Sequence, residues 1–167
     1  MEKKKPAGSV VHPNPPIYDQ HSTRLILGTM ASPQSRERRF YYAHPQNRFW
    51  PTLAGVFGEP CPQTNEEKKA LLLRNGVALW DVIASCDIVG ASDQSIRNVQ
   101  PNPIEQLIQT APIRRIYVTG RKAQTLYQTF CQPATGMEAI YLPSSSPANA
   151  RLRLEDLIEA YKVLLQP

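Results

Sequence analysis

Residues 25–51 read LILGTMASPQSRERRFYYAHPQNRFWP, and the reading of this stretch decides the fold. Leu25, Ile26 and Leu27 suit a buried strand. Gly28 and Ser32 bracket a tight turn at its carboxyl end, the place where open α/β folds gather their ligands. After a basic loop, Tyr41, Tyr42, Phe49 and Trp50 are interleaved with His44, Gln46 and Asn47. Flat rings offer faces to a nucleobase, while the imidazole and amides offer donors and acceptors to its edges or to a water. The segment therefore reads as a strand that ends in a base pocket.

A chain of 167 residues, 41% hydrophobic, suffices for one domain with a sizeable core. Its 19 Lys and Arg against 14 Asp and Glu give a net charge of +5, which favours a polyanionic partner without specifying one. Cys61, Cys86 and Cys131 lack the paired spacing of zinc sites and redox dithiols, so they are expected to be reduced and structural, and no metal is implied. There is no long apolar run, and Met1-Glu2-Lys3-Lys4-Lys5 leads into prolines instead of the apolar core of a signal peptide. The expectation is a cytoplasmic protein with no membrane partner.

Outward from the opening stretch, residues 1–22 carry three lysines in a row with Pro6, Pro13, Pro15 and Pro16, a composition that predicts an N-terminal arm without regular structure. It serves either as a basic tether to phosphate or as a solvated tail. Residues 23–167 form the expected domain. Arg48 to Phe57 predicts a helix stopped by Gly58, and Thr64 with Glu67 a capping box for a helix that closes near Asn75-Gly76. Val77 to Ile83 is a continuous apolar stretch that periodicity leaves open between a strand and a short buried helix. Gly90 to Gln100 reads as a polar loop, and Asn102-Pro103 as the N-cap and first residue of a helix. Arg114 to Gly120 predicts a strand followed by a helix to Phe130. Ala139 to Leu142 is the last strand, and Leu154, Leu157, Ile158, Tyr161 and Leu165 line one face of the closing helix. Alternating strands and helices predict a three-layer α/β/α sandwich around a central, mostly parallel four-stranded sheet.

Three stretches together resemble the uracil-DNA glycosylase superfamily, most closely its hypoxanthine (deoxyinosine) DNA glycosylase branch. They are Leu25-Ile26-Leu27-Gly28-Thr29-Met30-Ala31-Ser32, the block from Phe40 to Trp50, and Leu142-Pro143-Ser144-Ser145-Ser146-Pro147-Ala148-Asn149. The resemblance covers roughly Arg24 to the C-terminus, and motifs that recur in the right order are rarely accidental. Three cysteines fall short of the four thiolates of an iron–sulfur cluster, which argues against the cluster-bearing branches. The resemblance implies a cofactor-free, monomeric enzyme acting on DNA that contains deaminated bases, most often deoxyinosine. The alternatives are a uracil or mismatch-specific glycosylase, or a damage-binding protein that holds flipped bases without cutting.

Within the resemblance, Pro45-Gln46-Asn47-Arg48-Phe49-Trp50 is the motif whose asparagine is implicated in catalysis. An amide is no general base near pH 7, but the Asn47 carbonyl can orient a water towards C1′; the competing reading makes Asn47 a helix cap. Many relatives carry Asp or Asn where this chain has Met30, which cannot activate water and so shifts the burden to Asn47. Tyr42 falls where relatives stack a ring on the flipped base, with core packing as its competitor, while Phe49, a candidate base contact, and Trp50 read as pocket wall or core. Gly28, Thr29, Met30 and Ala31 would border the base, with backbone N–H groups or His44 donating to its developing charge. His44 also reads as an ordinary core or surface histidine. Ser32, Ser144, Ser145, Ser146 and Asn149 are candidates for contact with DNA, the serines as donors to phosphate, although S-S-S-P also reads as a turn with a cap. Lys122, next to Gly120 and Arg121, is a candidate phosphate clamp. Nothing in the sequence desolvates Lys122 as a Schiff-base nucleophile must be, which predicts a monofunctional enzyme.

Overall fold

Leu25 and Leu27 pack into one apolar cluster and Ile26 into another, so the first long strand is buried on both faces, as a strand inside a parallel sheet must be. The computed structural model describes residues 8–90 and 92–166. Its elements are β1 (Gly8–Val11), β2 (Arg24–Gly28), α1 (Pro33–Arg38), α2 (Phe49–Phe57), α3 (Asn65–Arg74), β3 (Val77–Asp81), β4 (Ile83–Ile88), β5 (Arg97–Pro101), α4 (Ile104–Thr110), β6 (Arg115–Thr119), α5 (Arg121–Phe130), α6 (Gln132–Thr135), β7 (Ala139–Leu142) and α7 (Leu154–Tyr161). Strands β3, β2, β6 and β7 lie side by side in that order and all run parallel. One face packs on α4 and α5 through Ile104, Leu107, Leu126 and Tyr127. The other packs on α2, α3 and α7 through Leu53, Leu72, Leu157 and Tyr161. This is the expected three-layer architecture.

The apolar run from Val77 to Ile83 resolves into strands on both sides of Val82. β3 ends at Asp81, and β4 enters a second, antiparallel sheet of order β1-β4-β5. Two features hide that sheet from a reading of the sequence. The prolines of the N-terminal segment suggest irregular structure, yet Gly8–Val11 pairs with Ser85–Ile88, and His12 N–H donates to Ala84 O at 2.7 Å. Pro13, Pro15 and Pro16 fall between paired residues, where no ladder N–H is needed. Farther on, Ile17 exchanges two 2.9 Å hydrogen bonds with Leu79 and covers the outer edge of β3. Residues 1–7, with the lysine run, lie outside the described residues.

The second feature is β5, which the sequence disguises as a loop. Its side chains are mostly exposed, and its pairing with β4 shifts register twice, so neither alternation nor apolarity marks it. Asn102 is likewise no helix cap. Its Nδ2 donates to Asp81 O at 2.8 Å and Ile83 O at 3.2 Å, satisfying buried carbonyls at the β3–β4 junction, and α4 starts after Pro103. The other punctuation follows the sequence: Gly58 ends α2 at φ 64°, and Thr64 Oγ1 accepts from Glu67 N–H at 3.1 Å to cap α3.

Candidate active site

Parallel strands deliver their carboxyl ends to one side of the sheet, and there the loops enclose a pocket of about 560 Å³. Gly28 to Ser32 enter it after β2, Asp81 at the end of β3, Thr119 to Lys122 where β6 passes into α5, and Ser144 to Ala148 after β7. Tyr42, His44 and Asn47, between α1 and α2, close the ring.

Tyr42 holds a left-handed backbone at φ 52°, which a bulky residue adopts at a cost of about 1–3 kcal/mol, and such strain concentrates at functional sites. Its ring stacks on Phe49 at 3.9 Å and 16°, and its hydroxyl lies 3.4 Å from Thr119 Oγ1. Burial first, and then the charge of Asp81, keep the phenol protonated. Phe49 itself is fully buried in the α2 core. It backs Tyr42 instead of meeting a base, which corrects its place among the candidate base contacts: an aromatic that opens a helix over the sheet is drawn inward. Gly28 has a steric reason to be glycine, because a Cβ there would collide with Asp81 Oδ1 and stand 3.0 Å from Tyr42 Oη.

At Asn47 the structure shows the helix cap. Its Oδ1 accepts from Phe49 N–H at 2.9 Å, as a cap on α2, and from Ser145 Oγ–H at 2.8 Å. A backbone N–H can only donate, so the amide oxygen must face it. Both lone pairs are then engaged, and the expected carbonyl-to-water contact is closed. What Asn47 brings to the pocket is Nδ2, which has no hydrogen-bond partner among the described residues. His44 is arranged similarly: Nδ1 accepts from Gln46 N–H at 3.1 Å, which in a neutral ring leaves Nε2 as donor. The N–H groups of Met30, Ala31 and Ser32 likewise find no acceptor among the described residues.

The serine loop divides its candidates. Ser145 is 2% exposed and its hydroxyl serves Asn47, so it is withdrawn from phosphate. Asn149 Nδ2 donates to Ser144 O at 2.9 Å and closes the loop instead of lining the pocket. Ser144 and Ser146 accept N–H groups of their own loop and keep a hydroxyl proton to donate in the pocket that Lys122 also lines, whereas Ser32 caps α1, accepting from Ser35 N–H at 3.1 Å and donating to Ser35 Oγ at 3.1 Å. Arg48 pins the loop by donating to Ser146 O at 2.9 Å, Asn149 O at 3.0 Å and Leu152 O. The sequence reading missed Asp81, whose signal was a lone charge in an otherwise apolar run. It also missed His12, for which the sequence carried none. Among the described residues no cluster of three or more His, Cys, Asp or Glu is arranged to hold a metal ion, and no helix is long and apolar enough to cross a membrane.

A family model described as the uracil DNA glycosylase superfamily matches residues 15–165. The chain belongs to that superfamily. Two members named hypoxanthine DNA glycosylase are similar to it. The protein of Methanosarcina barkeri is 33% identical over 138 residues, 82% of this chain and 87% of the relative. That of Methanosarcina acetivorans is 34% identical over 139 residues, with the same coverage. A solution NMR structure from Methanosarcina acetivorans, provisionally named a uracil DNA glycosylase, has a TM-score of 0.77 at 31% identity and spans 93% of this chain and 98% of its own. In this member of the uracil DNA glycosylase superfamily, Met30 occupies the turn after β2 and packs against the core while lining the pocket. The carboxylates that line the pocket are Asp81, at the end of β3, and Asp93, in the turn before β5.

Proposed function

We propose that this chain is a monofunctional DNA glycosylase that hydrolyses the N-glycosidic bond of deoxyinosine, releasing hypoxanthine and leaving an abasic site. The observation that carries the reading is the Asn47 amide, held by Phe49 N–H and Ser145 Oγ–H so that Nδ2 enters a base-sized pocket. The names and identities of the two Methanosarcina relatives support the choice of base.

The extruded nucleotide enters with its base against Tyr42, whose other face rests on Phe49. As the bond to C1′ lengthens, the purine gathers negative charge. Asn47 Nδ2, His44 Nε2–H and the N–H groups of the turn after β2 are fixed donors for that charge, so departure of the base needs no general base. Water then captures the sugar cation from the open mouth, and the proton it sheds passes to the departing hypoxanthine anion, so that the neutral base and the abasic sugar result. Ser144, Ser146 and Lys122 stand at that mouth as donors to the flanking phosphates. The reading takes the enzyme to work as a monomer in the cytoplasm.

Excision from otherwise identical oligonucleotides carrying inosine, uracil or no lesion tests this directly. Fastest cleavage at inosine is expected. Cleavage confined to uracil would favour a mismatch-type enzyme, and lesion binding without cleavage would make the chain a damage-binding protein.

A further inference from the structure

A surface that binds DNA gains from positive charge and loses from negative, yet Asp93 places a carboxylate in the pocket. Its place is fixed by the fold. Ile88 at the end of β4 and Ile96 just before β5 are both buried in the core cluster that packs on α4 and α5. Between them the turn is closed on itself: Val89 N–H donates to Ser95 Oγ at 2.8 Å, and Ser95 Oγ–H donates to Ser92 O at 2.7 Å. Asp93 thus lines the pocket from the α4–α5 side of the sheet, with Met30, Ile88 and Lys122, whereas Tyr42 and Asn47 line it from the segment that leads into α2. Burial by the pocket walls pushes its carboxyl up from the usual aspartate range, and the Lys122 ammonium draws it back down. Asp81 differs, because His12 meets its charge from within the protein.

We infer that Asp93 is a catalytic residue whose carboxylate faces the deoxyribose of the extruded nucleotide and stabilises the positive charge that grows there as the base departs. The inference rests on the glycosylase reading and adds to it the group that answers the sugar, since Asn47, His44 and the turn after β2 all answer the base. With the base against Tyr42 and Asn47, the sugar extends towards the opposite wall, where Asp93 stands. Before the bond breaks the sugar is neutral and its phosphates are negative, so the carboxylate opposes binding. Once C1′ carries charge, the same carboxylate attracts it. An interaction unfavourable in the ground state and favourable in the transition state acts on rate alone. Lys122 offsets Asp93 in the free protein and turns to phosphate when DNA arrives, which leaves the carboxylate to the sugar. The electron pair of the C1′–N9 bond leaves with the base, the water oxygen bonds to C1′, and the water's proton goes to the base. Asp93 stays ionised throughout.

Duplexes carrying one of two abasic sugar analogues test this. A pyrrolidine nucleotide, protonated on its ring nitrogen at pH 7, carries the charge of the transition state; a tetrahydrofuran nucleotide has the same shape without the charge. Wild-type protein is expected to bind the pyrrolidine duplex tighter by about 10-fold or more. Asp93→Asn is expected to lose most of that preference, to bind undamaged duplex as well as wild type or better, and to lower single-turnover excision of hypoxanthine by about 10-fold or more. Asp93→Glu should recover part of the preference and part of the rate. An unchanged preference in a folded Asp93→Asn protein would overturn the inference. So would an equal loss of affinity for all three duplexes, the mark of a structural role, and so would equal binding of the two analogues by the wild type, which requires no variant to fold. Wild-type excision, measured alongside, separates the two claims: its absence sinks the glycosylase reading, whereas intact excision with a preference that Asp93→Asn leaves unmoved sinks the role of Asp93 alone.

Discussion

Asn47 shows how two hydrogen bonds select a chemistry. With Oδ1 engaged by Phe49 N–H and Ser145 Oγ–H, the residue acts by donating. Asn47→Ala should lower single-turnover excision by about 10²-fold or more while leaving folding and undamaged-DNA affinity near wild type. Asn47→Asp separates donation from water activation. A carboxylate cannot donate, so its rate should stay with that of Ala; recovery towards wild type would reinstate a water-orienting oxygen. At Tyr42, loss of the ring in Tyr42→Ala should cost about 1–3 kcal/mol of lesion-specific binding, and Tyr42→Phe much less. Phe49→Ala acts from behind. It should cost about 3–5 kcal/mol in denaturant unfolding, because a fully buried core ring is removed along with the support of Tyr42.

At the scale of elements, what the sequence revealed and what it hid have physical causes. α2 was legible because Gly58 supplies a left-handed stop, and β2 because its three apolar residues fill two cores. β1 was hidden because its order comes from β4, far along the chain, and local composition carries no trace of such a partner. The same distance hid His12, and with it the partner of Asp81. The Asn47 segment and the serine loop were recognisable, but not their division of labour, since only the fold shows that Ser145 faces inward and Asn149 ties the loop. Arg48 joins the two segments across a long span of sequence. Arg48→Ala should cost about 1.5–3 kcal/mol of stability in urea, the range for hydrogen bonds from a charged group, and should weaken DNA binding through a loosened loop.

For the whole molecule, charge and burial make separate predictions. The net charge of +5 should make binding to undamaged duplex fall steeply with salt. Deleting residues 1–7 removes Lys3, Lys4 and Lys5, and should lower the slope of log affinity against log salt by about one for each phosphate that a lysine had neutralised, without changing which base is excised. Deleting residues 1–20 should do more, because β1, His12 and Ile17 go with it. Thiol chemistry reports burial independently. Cys61 is exposed, whereas burial pushes the Cys86 thiol up and that of Cys131 to about 12. A raised thiol pKa means less thiolate at pH 8, so one thiol should react rapidly in the native protein and all three after denaturation.

The central claim, hydrolytic release of a deaminated purine, is tested most directly by product analysis of a single turnover on a duplex with one deoxyinosine. Free hypoxanthine should appear in one-to-one yield with a strand whose abasic site stays uncut until alkali is added, and borohydride should trap no protein–DNA adduct. Tight binding of that duplex with no base released, or a trapped adduct with spontaneous strand cleavage, would contradict the account.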